Sequence, residues 1–296
     1  MTATSDAVAG LSAGDKTQVL VEALPYIRAF RGTTVVVKYG GSAMATADAD
    51  QLAVFAEDVV LLRSVGVDIV VVHGGGPQIG RLMARLGKEA TFVGGLRVTD
   101  AETLDIARMV LVGKVNRDIA AAVNTHGAPA VGVSGEDAGL LLARERSPEL
   151  GFVGDIAEVR PAILQRLLRE ELVPVVATIG TDEAGQAFNI NADTAAGAIA
   201  QALGAEKLVY LTDVEGLRAD ARDPATLLST VSVDGLEAMI ADGTVAGGMI
   251  PKASSCALAV RGGVGHAHIL DGRVPHALLL EIFTRSGVGT MVEGSG

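Results

Sequence analysis

Short apolar runs, each stopped by glycine, constrain this chain more than any other feature. In "TVVVKYGGSAM" (34–44) three valines lead into Lys38, and Gly40 and Gly41 follow. In "VVVHGGGPQIG" (70–80) the run ends in Gly74, Gly75 and Gly76, and Pro77 opens a helix. Continuous apolar runs of this length suit strands covered on both faces of a parallel sheet. Strands are expected at Thr33–Lys38, Val67–His73, Pro129–Ser134, Phe152–Val159, Leu172–Ile179, Lys207–Thr212 and His266–Leu270. Between them lie segments of helical period. Residues 48–66 put Leu52, Phe55, Val59 and Leu62 on one stripe, with Gly66 as the stop. Residues 99–123 open with Thr99 and Glu102 at the spacing of a capping box. Strand and helix in alternation predict a mostly parallel α/β sandwich.

Only small aliphatic side chains can fill such layers here. Hydrophobic residues are 49% of the 296, aromatics 3%, and there is no tryptophan. A formal net charge of −11 argues against a nucleic-acid partner, while leaving room for a local cationic pocket. Cys256 is the single cysteine, so no internal disulfide or CxxC site can form; a small buried helix residue is expected there. The start of the chain has no basic region followed by an apolar run, and no uncharged apolar stretch reaches ~18 residues. A soluble, cytoplasmic protein with no membrane partner is expected. Residues 1–13 are small and polar, and disorder is expected. Residues 15–32 form a helix pattern with Leu20, Leu24 and Ile27 in line and a kink expected at Pro25. That stripe can pack on its own subunit or on the same helix of another.

The glycines let backbone turn sharply and come close to a ligand. At Gly74–Gly76 the amides of a helix start would face it, which makes an anion cradle. A ligand-free tight turn is the ordinary alternative. GxxxxGK[ST] is absent, and GxGxxG fails because Gly80 comes one residue late. Three further stretches carry polar groups at strand or helix ends. Residues 188–204 set Asn189, Asn191 and Asp193 at a helix start; 208–217 end a strand in Thr212 and Asp213; 243–260 place Gly247, Gly248 and Met249 ahead of Lys252. Each has an ordinary reading: Asp193 caps, Asp213 turns, Lys252 is solvated. Their recurrence at the carboxyl ends of strands favours a ligand edge. Lys38 would send its ammonium into that crevice, and Gly40 and Gly41 would bring amides to the same anion.

Together these motifs resemble the amino acid kinase family, and within it the members that phosphorylate N-acetyl-L-glutamate. The resemblance rests on "VVVKYGGSAM", "VVHGGGPQI", "FVGGLRVTD", "VGVSGEDAG", "FVGDIAEV", "VPVVATIG", "FNINADTAA", "LVYLTDVEGL" and "GGMIPKA", in order from about residue 15 onward. "GGLRVT" and "NINADTAA" set it apart from kinases of aspartate, glutamate, carbamate and UMP. It implies a three-layer αβα sandwich in two lobes plus an N-terminal kinked helix. Residues 1–31 would hold the start and an oligomerisation helix, 32–204 an acetylglutamate-binding and dimerising lobe, and 205–296 an ATP-binding lobe. It implies ATP and Mg²⁺, the metal carried by the nucleotide with no protein metal site. Lys38 and Lys252 would stabilise the phosphoryl group, and Asp193 would orient both. Gly41, Gly75 and Gly76 would supply amides, Arg97 would grip a carboxylate and Asn189 would bind near the amide. Thr212, Asp213 and the 247–252 loop would meet the nucleotide.

The N-terminal segment resembles the arginine-inhibited members, in which kinked helices link dimers into a hexamer, a trimer of dimers. Tyr26, His268, Glu281 and Gly287 are then expected contacts for effector arginine. For His268 a core histidine on a strand is the equal alternative. Two other readings stay open: a kinase for a related N-acyl amino acid such as an acylated aminoadipate, and a non-catalytic arginine sensor.

Overall fold

A computed structural model describes residues 10, 12–40, 49–220, 223–284 and 287–294. Gly41 and most of the start expected to be disordered lie outside the described residues. The strands are β1 (Thr34–Tyr39), β2 (Asp68–His73), β3 (Phe92–Val93), β4 (Leu96–Arg97), β5 (Ala130–Ser134), β6 (Leu141–Glu145) and β7 (Val153–Val159). There follow β8 (Val173–Ala177), β9 (Ile179–Thr181), β10 (Ala187–Ile190), β11 (Lys207–Thr212), β12 (Thr230–Ser232), β13 (His266–Asp271) and β14 (Thr290–Glu293). The α-helices are α1 (Ala13–Phe30), α2 (Ala49–Ser64), α3 (Gly76–Arg85), α4 (Ala101–Arg108) and α5 (Asn116–His126). After them come α6 (Ala162–Arg169), α7 (Ala192–Leu203), α8 (Val233–Ala241), α9 (Met249–Arg261) and α10 (Ala277–Phe283).

Eight strands form the central sheet in the order β12–β14–β13–β11–β1–β2–β8–β5. Only β13 and β14 pair antiparallel within it. The side-chain alternation of β1 shows why the sheet is buried on both faces. Val35, Val37 and Tyr39 join a core with Phe55 of α2, Ile79 of α3, Leu104 of α4, Ile119 of α5 and Ala277 of α10. Val36 points the other way, with Leu164 of α6, Ala195 of α7, Val233 of α8 and Ala253 of α9. That is the expected three-layer sandwich. Cys256 is buried on α9, as expected. Among the described residues no helix is long and apolar enough to cross a membrane.

Several details depart from expectation. β7, read as one of the main strands, joins β6, β9 and β10 in a small sheet that closes on itself. The run at 172–179 splits into β8 and β9 around Thr178. The expected helix at 99–123 is not one α-helix. Thr99 does not cap it, because its hydroxyl donates to the Arg97 carbonyl at 2.9 Å and the residue is fully buried. Asp100 caps instead, accepting from the Thr103 amide at 2.8 Å. A π-helical segment, Met109–Val115, then separates α4 from α5. α1 begins two residues earlier than expected, because Ser12 and Asp15 close a capping box. It runs through Pro25, has no buried residue and leaves Leu20 70% exposed, while the helix as a whole contacts α10.

Candidate active site

Lys38 lies near the carboxyl end of β1, on the face covered by α7 and α9. Alternation on the strand fixes that direction, with Val37 and Tyr39 facing the opposite layer. Asp193 enters from the first turn of α7. Asn191 caps that helix, accepting from the Asp193 amide at 2.9 Å and the Thr194 amide at 3.1 Å. The cap frees the Asp193 carboxylate for a different use. Its Oδ1 lies 2.8 Å from Lys38 Nζ, and its Oδ2 accepts from Lys252 Nζ of α9 at 2.9 Å. All three residues are buried.

Burial pulls the Lys38 ammonium below its ordinary pKa, partly opposed by Asp193. Burial would raise the Asp193 carboxyl, but the ammonium groups of Lys38 and Lys252 outweigh it and hold the pKa low. With both lysines protonated the trio is cationic, which suits an anion arriving beside it. Gly197 on α7 faces α9, where a β-carbon would stand in ordinary contact, 3.4 Å, with the Ser255 carbonyl oxygen. Tyr210 of β11, unmarked in the sequence reading, donates to the Asp193 carbonyl at 3.0 Å and sets its ring 5.6 Å from Lys252 Nζ. Its only sequence signal is a bulky ring in a run of small aliphatics.

A cleft of about 370 Å³ opens beside Lys38 and Asp193. Lys38, Asp193, Gly75, Gly76, Arg97 and Asn189 line it together, so the expected substrate residues converge. Arg97 Nη2 donates to the Gly76 carbonyl at 2.9 Å, and its guanidinium lies 4.8 Å from the Phe92 ring centroid. Asn189 donates to Thr99 Oγ1 at 3.4 Å. Gly75 has no room for a side chain: a β-carbon would meet Leu111 Cδ2 at 2.6 Å. Gly40 contributes space, not a free donor. Its amide donates to the Leu211 carbonyl at 3.1 Å, and a β-carbon would lie 2.7 Å from that oxygen.

A second cavity of about 360 Å³ lies at the ends of β11 and the start of α9, lined by Asp213, Val245, Met249 and Arg273 among others. Thr212 is buried behind it and donates to Asp213 Oδ1 at 3.2 Å. Gly247 adopts φ +59°, a left-handed turn just before α9, and neither Gly247 nor Gly248 has atoms where a β-carbon would stand. Lys252 lies one turn after Met249, which lines this cavity, and ends on Asp193, which lines the first.

Three of the residues expected to meet arginine, His268, Glu281 and Gly287, cluster elsewhere. His268 is fully buried on β13, its Nδ1 2.9 Å from Glu281 Oε1 and its Nε2 2.9 Å from Lys207 Nζ. Glu281 also accepts from the Val288 amide at 2.9 Å, and a β-carbon on Gly287 would lie 2.8 Å from its Oε2. Burial lowers the His268 pKa despite Glu281, and Lys207, which the sequence reading missed, reinforces that direction. Tyr26 is half-buried on α1.

The profile of the amino acid kinase family matches residues 33–271. An acetylglutamate kinase of Symbiobacterium thermophilum is 56% identical over 287 residues, covering 94% of this chain and 97% of that protein. One from Heliobacterium modesticaldum is 48% identical over 294 residues, covering 95% and 99%. Among solved structures, N-acetylglutamate synthase from Neisseria gonorrhoeae complexed with coenzyme A and N-acetyl-glutamate superposes with a TM-score of 0.83 at 31% identity. That match covers 95% of this chain but 64% of the synthase. The same synthase complexed with coenzyme A and L-arginine gives 0.82 at 30% identity, covering 95% and 66%. Carbamate kinase from Giardia lamblia, at 18% identity and a TM-score of 0.68, shares the fold; the match covers 89% of this chain and 99% of that one.

Proposed function

The chain belongs to the amino acid kinase family, and we infer that it transfers a phosphoryl group from ATP to the side-chain carboxylate of N-acetyl-L-glutamate. The product is N-acetylglutamyl 5-phosphate, an intermediate of arginine biosynthesis. The observation that carries this is the meeting of Lys38 and Lys252 on one buried carboxylate beside an open cleft.

The acceptor has a carboxyl pKa of about 4.3, so it is ionised at neutral pH and needs no general base. The barrier is electrostatic, because a carboxylate must approach a triphosphate. Lys38 and Lys252 offset that repulsion on the group in transit, and Asp193 aims both. Arg97 and Asn189 hold acetylglutamate, with the amides of Gly75 and Gly76 on its oxygens. ATP occupies the cavity at Thr212, Asp213, Gly247, Gly248 and Met249, whose apolar and polar walls suit a base and a ribose. Mg²⁺ enters on the phosphates and neutralises part of their charge. The division at about residue 204 makes an acceptor lobe and a nucleotide lobe, and their closure excludes water from the acyl phosphate.

Arginine is the effector in this reading, bound where α1 meets α10 and read by Tyr26, His268, Glu281 and Gly287. The buried Glu281 carboxylate and the L-arginine complex of the synthase support it. The bare apolar residues of α1 support an assembly contact, in this reading one that links dimers into a hexamer, a trimer of dimers; the compartment in this reading is the cytoplasm. Hydroxylamine trapping tests the reaction. Hydroxamate should form only with acetylglutamate, ATP and Mg²⁺ together, and arginine should suppress it. Equal or better turnover of an acylated aminoadipate would reassign the substrate.

A further inference from the structure

Behind the glycine cradle lies a buried pair that phosphoryl transfer itself does not use. His73 ends β2, immediately before Gly74, and is fully buried. Its Nδ1 lies 2.9 Å from the Gly74 carbonyl oxygen. Its Nε2 lies 3.1 Å from Asn116 Nδ2, and Asn116 is also fully buried. The orientation of the Asn116 amide follows from its other partners. Nδ2 donates to the Val175 carbonyl at 2.7 Å and sits 3.3 Å from the Val133 carbonyl, while Oδ1 accepts from Arg117. A flipped amide would set an oxygen against two carbonyl oxygens and an NH₂ against a guanidinium. Nδ2 is therefore the group facing His73, and a donor there requires Nε2 to be the acceptor. The imidazole proton must sit on Nδ1, which then donates to the Gly74 carbonyl.

That hydrogen bond has a geometric consequence. In a trans peptide the carbonyl of one residue and the N–H of the next point in opposite directions. Holding the Gly74 carbonyl back against the buried imidazole turns the Gly75 N–H outward, toward the cleft that Gly75 lines. The π-helical segment supplies the support. The Asn116 N–H reaches back to the Leu111 carbonyl, and Leu111 packs where a Gly75 side chain would be. One wide turn therefore puts Leu111 under Gly75 and Asn116 under His73, consistent with the concentration of such turns at functional sites.

We propose that Asn116 and His73 are positioning residues for the acceptor cradle: Asn116 selects the Nδ1–H tautomer of His73, which pins the Gly74 carbonyl and aims the Gly75 amide at the substrate. This rests on the reading that Gly75 and Gly76 hold acetylglutamate.

Two variants separate positioning from simple packing. His73→Asn places an amide donor near the position of Nδ1. His73→Gln places its polar end near Nε2 and leaves the Gly74 carbonyl without a donor. KM for acetylglutamate is expected to rise about tenfold or more in His73→Gln and Asn116→Leu, with KM for ATP changed less than about twofold. His73→Asn is expected to recover most of the loss. Equal KM values for His73→Asn and His73→Gln would overturn the proposal, as would unchanged KM in Asn116→Leu. If Asn116→Leu fails to fold, the two His73 variants still decide. Nitrogen-15 spectra of histidine-labelled wild-type protein provide a check without substrate, with His73 expected as the Nδ1–H tautomer and Nε2–H contradicting the assignment. Glycine-amide spectra separate this proposal from its premise. If acetylglutamate leaves Gly75 and Gly76 unshifted in the wild type, the site reading fails. If it shifts them while His73→Gln keeps native KM, only the positioning role fails.

Discussion

Lys252 donates to the one oxygen of Asp193 that Lys38 leaves unused, at 2.9 Å. The lysines come from β1 and α9, so the carboxylate ties a strand to a helix from the far end of the chain. Removing either cation should then act on the transition state more than on nucleotide binding. Lys38→Ala and Lys252→Ala are each expected to lower kcat by about 10²–10³, with nucleotide affinity changed far less. Asp193→Asn should differ in kind. It leaves two buried ammonium groups without a counter-charge, at a cost of about 3–5 kcal/mol. Urea denaturation beside steady-state kinetics checks both claims, and either lysine variant with near-native kcat removes that lysine from the mechanism.

Neighbouring glycines of the cradle should respond in opposite ways. A β-carbon on Gly75 would stand 2.6 Å from Leu111 Cδ2 and 3.3 Å from Val115 Cγ2, while one on Gly76 meets nothing within 4 Å. Gly75→Ala is expected to destabilise the fold by about 1–3 kcal/mol. Gly76→Ala should fold with near-native stability. Leu111→Ala in the Gly75→Ala background should return part of the loss. Thermal melts of the three variants settle the comparison, and equal melting temperatures for the two single variants would contradict it.

Much of this architecture was legible because the main strands are continuous apolar runs that no amphipathic surface helix could carry. The seven expected strands are all present, with ends moved by a residue or two. Pieces of two to five residues, such as β3, β4, β9 and β12, fell below what periodicity can register. The π-helical segment was invisible for a different reason. "MVLVGKV" reads as ordinary helix, and its extra residue per turn is imposed by packing of Leu111 on Gly75 and of Asn116 on His73. In the site, composition and spacing gave residue types, while the pairing of Asp193 with both lysines came only from the family resemblance. Asn191 and Asp193 are equally good caps by composition. The fold shows that Asn191 takes the amides and leaves Asp193 to the lysines. The same holds at His268, whose two ring nitrogens are both committed in the core.

The apolar side of α1 predicts an assembly contact. Val19, Leu20, Val21 and Leu24 are each more than two-fifths exposed, which is unusual for four neighbours on one helix. Deleting residues 1–30 is expected to reduce a hexamer to a dimer in multi-angle light scattering and to weaken inhibition by arginine. A full-length dimer that ignores arginine would remove both the ring and the effector.

Asp58 sets a pH dependence of stability whose sign can be fixed. It is buried on α2, and its Oδ1 lies 2.6 Å from Nδ1 of His276, the residue before α10. Burial pushes its pKa up to about 6, against the opposing pull of His276. An unfolded aspartate titrates near 3.9. Between those values the folded chain holds more protons than the unfolded one, so stability falls as pH rises through that window. Below it the penalty is absent, and above about pH 6 it is complete, at roughly 3 kcal/mol for a shift of about two units. Asp58→Asn keeps an acceptor for His276 and removes the titrating group. Relative to the wild type it should therefore gain stability between pH 4 and pH 7, by an amount approaching that figure. Urea denaturation of both proteins at pH 4, 5, 6 and 7 measures the difference. A constant offset across the series would mean that Asp58 titrates alike in both states and that its burial carries no electrostatic cost.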